Sequence, residues 1–215
     1  MMKRYAIFDL DGTLLDSMKI WDNIGDEFLK SHGITPPQDL AEILKTMSLK
    51  QSAEYFKRAF SLPVSEDEII DIINNLAQKK YRDGVLLKPY AFEYLQRLKS
   101  LNVRMCIVTA TDYTIAVEVL TRLGVADCFE FIITCATAGC GKDNPQIYHL
   151  AAERFGCNPH EVVVFEDALH CVKTAKNAGF YVVGVEDISA RQDKREIQKI
   201  SDCYINSFAE MEDFN

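Results

Sequence analysis

The sequence predicts an α/β protein, a doubly wound parallel sheet interrupted by an all-helical insertion. Two observations predict it. Short, unbroken apolar runs rich in β-branched residues alternate with amphipathic segments along most of the 215 residues. That is the pattern of strands buried on both faces and joined by crossover helices. The alternation fails once, between residues 16 and 87, where no strand pattern occurs and helical segments follow one another.

The first strand run covers residues 5–8. In the insertion, Ser17 can cap a first helix that ends at Gly33. Pro36-Pro37 breaks the chain before a short second helix. Ser48 can cap a third helix reaching Phe60, and Ser65-x-x-Glu68 reads as a capping box for a fourth that ends near Asp83-Gly84. The sheet pattern then resumes. Pro89 opens a helix running to Ser100, followed by a strand over 104–108 and a helix over 113–123. A strand over 129–133, a helix over 145–155 and a strand over 162–165 come next. A helix over 168–178 is closed by Gly179, ahead of a strand over 181–185 and a sixth candidate over 203–205. Residues 1–15 and 88–215 are therefore expected to form one core. Residues 16–87 are expected to form an inserted module, placed where insertions act as lids over a ligand site.

Composition narrows the partners. Hydrophobic residues make up 48% of the chain, enough to bury a substantial core. A net charge of -8 repels phosphate backbones and anionic lipid surfaces, so neither nucleic acid nor a membrane is expected as a partner. No apolar run approaches the roughly 20 residues that span a bilayer. The seven cysteines are an odd number without a Cys-x-x-Cys pair, which reads as free thiols in a reducing cytoplasm. Oligomeric state and the identity of a substrate stay open.

Ligands on open parallel sheets bind beyond the carboxyl ends of the strands. After the first strand comes Asp9-Leu10-Asp11-Gly12-Thr13, and after the second comes Thr109 with Ala110, Thr111 and Asp112 behind it. After the third, across a loop, comes Gly141-Lys142, and after the fourth comes Glu166-Asp167. Singly these read as a turn, a strand-end hydroxyl, a surface lysine and a helix N-cap pair. Together they place carboxylates, a hydroxyl and an ammonium on one rim, the parts that phosphoryl transfer requires. Mg²⁺ is a hard cation that takes oxygen ligands; Asp9 and Asp167 can supply carboxylates and Asp11 a backbone carbonyl. Lys142 adds a point charge, while the Thr109 hydroxyl and loop amides such as that of Ala110 can hold phosphate oxygens. Asp9 can then attack phosphorus, with Asp11 placed to protonate the leaving oxygen and later to activate water.

Over nearly the whole chain these residues resemble the haloacid dehalogenase-like hydrolase superfamily. The resemblance rests on Phe8-Asp9-Leu10-Asp11-Gly12-Thr13-Leu14-Leu15-Asp16-Ser17, on Thr109 ending a strand, and on Lys142 followed by Pro145-Gln146-Ile147-Tyr148. It rests also on Phe165-Glu166-Asp167 followed by Ala178-Gly179. The insertion resembles the helical cap of the phosphoglycolate phosphatase and β-phosphoglucomutase branch. The resemblance implies a Rossmann-like core with an all-helical cap domain. It implies Asp9 as nucleophile, Asp11 as acid and base, and Mg²⁺ held by Asp9, the Asp11 carbonyl and Asp167. It further implies that Glu166 acts beside the metal or through water, and that Thr109 and Lys142 bind phosphate. Two positions depart from the pattern: Asp143 stands where the branch usually has proline, and Ala168 where serine is common.

The expected activity is Mg²⁺-dependent hydrolysis of a small phosphomonoester (a sugar phosphate, phosphoglycolate or nucleotide-like compound) through an aspartyl-phosphate. The alternative is a β-phosphoglucomutase-like transfer. Mutases of the branch commonly carry valine where this chain has Thr13, and a cap histidine near the position of Trp21, whereas the nearest histidine here is His32. A dehalogenase usually lacks the second aspartate, which Asp11 supplies. A non-enzymatic metal- or phosphate-binding regulator predicts a lost nucleophile or a broken metal pair, and the sequence shows neither. Substrate choice is expected in the cap, through Trp21 and Lys50, and in the loop 110–112. The stronger reading of Trp21 is cap packing in the stripe Ile20, Trp21, Ile24 and Phe28, and that of Lys50 is a solvated lysine. His149, His160 and His170 form no metal-spaced set.

Overall fold

A computed structural model describes residues 4–44 and 47–211. The chain divides into two compact units, one made of residues 1–16 and 86–215 and the other of residues 17–85.

Among the described residues, the first unit is built on six parallel strands: β1 (Tyr5–Phe8), β2 (Arg104–Thr109), β3 (Phe131–Thr134), β4 (Val162–Glu166), β5 (Tyr181–Val185) and β6 (Cys203–Ile205). Their order is β3-β2-β1-β4-β5-β6. The strand order reverses at β1, which lies between β2 and β4. A crevice opens at such a point beyond the strand ends, because successive crossovers leave to opposite sides. Register fixes what meets there. Phe8 stands beside Ile107 on one side and Phe165 on the other, so the residues that follow β1, β2 and β4 converge. The Asp9 amide donates to the Phe165 carbonyl at 3.1 Å, carrying the β1–β4 pairing one residue further.

The strands are nearly continuous apolar runs because both faces are covered. Ile7, Val164 and Val182 are buried against Tyr148, Ala151 and Phe155, on the helix Gln146–Phe155, and Val172 and Ala175, on the helix after β4. Phe8 and Phe165 stack with ring centroids 4.3 Å apart. Each fully buried side chain of this size contributes about 1.5–3 kcal/mol.

Among its described residues, the second unit holds four helices: α1 (Met18–Ser31), α2 (Leu40–Leu44), α3 (Leu49–Ala59) and α4 (Glu66–Gly84). Ile24, Phe28, Phe56, Ile69, Ile73 and Tyr81 are buried in it, and Phe28 and Phe56 lie 5.0 Å apart. Capping boxes at Ser48/Gln51 and Ser65/Glu68 start α3 and α4. Gly25 lets α1 approach its neighbours, since a Cβ there would lie 2.9 Å from Leu44 Cδ1 and 3.3 Å from Phe56 Cζ.

The remaining helices belong to the first unit: α5 (Ala91–Ser100), α6 (Tyr113–Arg122), α7 (Cys135–Ala138), α8 (Gln146–Phe155), α9 (Leu169–Asn177) and α10 (Lys194–Ile200).

Several local expectations are corrected. Ser17 makes no side-chain cap, because its backbone is αR (φ -119°, ψ -10°) and capping needs an extended residue. Helix α1 ends at Ser31, with His32 as C-cap and Gly33 turning left-handed at φ 73°. Pro89 does not open α5, because Tyr90 intervenes at φ 64°. Strand β3 starts two residues late, because a 3-10 turn over Ala126–Cys128 and its cap Phe129 occupy the approach. The short helices α7 and α10 have too few turns to leave a legible period.

The segments that join the two units lie side by side within the first. Leu15 and Leu87 form an antiparallel bridge. The Asp16 amide donates to the Leu86 carbonyl at 3.0 Å, and the Lys88 amide to the Leu14 carbonyl at 2.8 Å. Among the described residues, no helix is long and apolar enough to cross a membrane.

Candidate active site

Strand β1 ends at Phe8, and Asp9 follows it into the crevice, only 4% exposed. The chain then turns tightly. The Leu14 and Leu15 amides both donate to the Leu10 carbonyl, and Gly12 adopts φ 80°, a conformation that glycine takes without steric cost. That turn points Thr13 inward, where its hydroxyl donates to Asp167 Oδ1 at 3.0 Å.

At the end of β2, Thr109 is fully buried, and its Oγ1 accepts the Thr111 amide at 3.0 Å. The Thr111 hydroxyl in turn donates to Asp11 Oδ2. Ala110, between them, is exposed. Beyond β3, a turn in which the Asn144 amide donates to the Gly141 carbonyl carries Lys142 back into the site. The Lys142 ammonium pairs with Asp9 and, at 2.6 Å, with Glu166. At the end of β4, Glu166 and Asp167 are 1% and 3% exposed. Carboxylate oxygens of Asp9, Glu166 and Asp167 all lie within 4.8 Å of one another.

Asp9, Lys142, Glu166 and Asp167 thus form one buried cluster, with Asp11 tied to the β2 loop. Trp21 and Lys50 lie in the other unit. The Trp21 indole N–H donates to Tyr81 Oη at 2.7 Å inside the helical unit, and Lys50 is exposed in the first turn of α3. Asp143 sits in the turn before α8 and accepts from the Thr174 hydroxyl through its carbonyl. Ala168 is the N-cap of α9 and, having no side-chain acceptor, makes no side-chain cap.

Sequence reasoning missed four partners. Tyr148 on α8 donates its hydroxyl to Glu166 Oε1 at 2.9 Å. Lys88 pairs with Asp187 at 2.9 Å, the Asp187 carboxylate adding to the negative field at Asp167 while Lys88 opposes it. Thr13 has the Asp167 contact already given. A signal for one was present: the acidic pair Glu186-Asp187 comes directly after β5, as Glu166-Asp167 comes at the end of β4.

The charges are unbalanced. Burial raises the Glu166 carboxyl to about 8, with Asp9 and Asp167 adding to the effect and Lys142 opposing it. Burial and the Asp9 charge raise Asp167 to about 7, against Lys88 and Lys142. Burial works against the Lys142 charge, but Asp9 and Glu166 more than offset it and hold the ammonium well above the usual lysine range. Glu166 Oε2 is buried with no hydrogen-bond partner.

A family model described as haloacid dehalogenase-like hydrolase matches residues 3–179. The chain belongs to this family. The hydrolase is 27% identical over 174 residues to a phosphorylated carbohydrates phosphatase of Thermotoga maritima, covering 81% of each chain. It is 28% identical over 181 residues to hexitol phosphatase A of Escherichia coli, covering 83% of this chain and 81% of that one. Its fold matches the crystal structure of CbbY from Rhodobacter sphaeroides in complex with phosphate, with a TM-score of 0.83 and 23% identity over 98% of this chain and 96% of the other.

The donor set of this hydrolase fits a divalent cation. Three buried carboxylates lie with one ammonium, and one carboxylate oxygen, Glu166 Oε2, is buried without a hydrogen-bond partner among the described residues. Without a cation, Lys142 balances only part of the charge of the three carboxylates, and protons supply the rest. A carboxyl whose folded pKa is raised contributes most to stability below its ordinary value, and loses that contribution as pH rises through the folded one. For Glu166 and Asp167 the window runs from 4.5 and 3.8 up to about 8 and about 7. The metal-free hydrolase is therefore expected to gain more thermal stability from added Mg²⁺ at about pH 8.5 than at about pH 6. Melting curves at the two pH values, with and without the cation, check this, and an equal gain at both would contradict it.

Proposed function

We propose that this hydrolase is a magnesium-dependent phosphatase acting on a small phosphomonoester, such as a sugar phosphate, phosphoglycolate or a nucleotide-like compound. The observation that carries the reading is the placement of Asp9. It lies at the switch point of the sheet, with Lys142 against it and Glu166 and Asp167 within 4.8 Å. The phosphatase names of the two sequence relatives support the same reaction class.

Asp9, Asp167 and the Asp11 carbonyl would hold Mg²⁺ with Glu166 beside it, and the bound cation would supply charge neutralisation for the incoming phosphate. The chain's own groups do the rest. An Asp9 carboxylate oxygen attacks phosphorus, the ester P–O bond breaks, and the leaving oxygen takes a proton from Asp11. The alcohol departs and Asp9 carries the phosphoryl group. Water then attacks phosphorus and gives a proton back to Asp11. The bond from phosphorus to Asp9 breaks, releasing inorganic phosphate and regenerating the carboxylate. Lys142 and Thr109 hold phosphate oxygens during both transfers, together with the Ala110 amide. Residues 1–15 and 88–215 carry this chemistry. Residues 16–87 act as a cap that selects the substrate and excludes water.

The test is hydrolysis of p-nitrophenyl phosphate, expected with Mg²⁺ and lost on adding a chelator. Undiminished turnover in chelator would refute the metal's role. Conversion of β-glucose 1-phosphate to glucose 6-phosphate with a bisphosphate activator, and without free phosphate, would mark phosphoryl transfer instead of hydrolysis.

A further inference from the structure

We infer that Thr111 is the positioning residue for the acid and base, fixing the Asp11 carboxyl for proton transfer to the leaving oxygen. The inference rests on the phosphatase reading and assigns a role to a side chain that the reading leaves idle.

Thr111 is 2% exposed, and its hydroxyl donates to Asp11 Oδ2 across a sequence separation of 100 residues. Its own position is held from both sides. Its amide donates to Thr109 Oγ1 at 3.0 Å, at the end of β2. The next residue, Asp112, is the N-cap of α6 and accepts the Thr114 amide at 2.8 Å. A β-branched side chain has a stiff χ1, so a fixed backbone also fixes the direction of this hydroxyl. Asp11 sits in the turn after β1, and its side chain has two torsions, χ1 and χ2, to be set. Holding it in one orientation before the reaction removes rotamer freedom that would otherwise be lost on reaching the transition state. The contact also ties the Asp11 loop to the loop of Thr109, so the acid and the phosphate-binding hydroxyl move as one group.

The consequence is selective. Protonation of the leaving oxygen matters when that oxygen is a poor leaving group, such as a phenoxide with a pKa of about 10. It matters little for p-nitrophenolate, which departs as an anion. The quantity kcat/KM covers only the steps through transfer to Asp9, so activation of water by Asp11 does not enter it.

The experiment compares phenyl phosphate with p-nitrophenyl phosphate for the parent enzyme, Thr111→Val and Thr111→Ser, all in Mg²⁺. The expected result is that Thr111→Val lowers kcat/KM on phenyl phosphate about tenfold more than on p-nitrophenyl phosphate, within the range of general acid catalysis. Thr111→Ser, which keeps the hydroxyl, restores the parent ratio. An equal loss on both substrates, or no loss, overturns the positioning role, because general loosening of the site affects the two alike. If Thr111→Val does not fold, Thr111→Ala removes the same hydroxyl and carries the comparison. A parent enzyme that turns over neither substrate overturns the phosphatase reading instead, so the two failures are distinct.

Discussion

Asp9→Asn is expected to lower turnover on the order of 10⁴-fold or more while the protein stays folded, the scale seen when a nucleophile is removed from its catalytic unit. The amide has nearly the shape of the carboxylate, so packing around this 4%-exposed position is kept. In the proposed mechanism the attacking oxygen is lost, and no neighbour takes over its place: Glu166 is tied to Tyr148 and Lys142, and Asp167 to Thr13. Stability of the metal-free form should not fall, because the substitution removes one negative charge from a cluster with too many. Activity assays beside melting curves check both halves. Residual activity within tenfold of the parent would move the nucleophile elsewhere.

Lys142→Met is expected to damage stability as well as catalysis. The ammonium is 9% exposed and is held between Asp9 and Glu166. Removing one partner of a buried ion pair leaves an uncompensated charge and costs about 3–5 kcal/mol. Protonation of Glu166 absorbs part of that cost at low pH, so the loss should grow as pH rises. Added Mg²⁺ should reduce it, since the cation supplies the missing positive charge. Turnover should fall by about 10²–10³-fold, the effect of losing one donor that stabilises developing charge. Urea unfolding with and without Mg²⁺ reads the first effect. A variant as stable as the parent without metal would show that Lys142 is not the counter-charge of the site.

The architecture was legible because its signals are local. Buried parallel strands are unbroken apolar runs, and β1, β5 and β6 coincide with the runs at 5–8, 181–185 and 203–205. The boxes at Ser48 and Ser65 were legible for the same reason, since each closes within three residues. Ser17 has the right side chain for a cap but the wrong backbone, and a backbone angle is set by packing. The cluster was legible as far as each member directly follows a strand or its loop. Its supporting contacts were not. Thr13 meets Asp167 across 154 positions, and Tyr148 reaches Glu166 from a helix whose own period reports only that this face is buried. Thr111 lies next to a residue singled out for phosphate binding, yet its partner is in another loop. Such pairs depend on strand order and register, which a single strand's sequence does not encode.

The antiparallel bridge between Leu15 and Leu87 has a consequence for how such a protein diversifies. The polypeptide departs from and returns to one spot, so a brief turn can span Asp16 to Leu86 with every sheet pairing intact. Modules of quite different size can be spliced there, because lengthening a flexible detour twofold costs only about 0.6 kcal/mol in closure entropy. A cassette can thus be exchanged there while the buried carboxylate cluster is inherited unchanged.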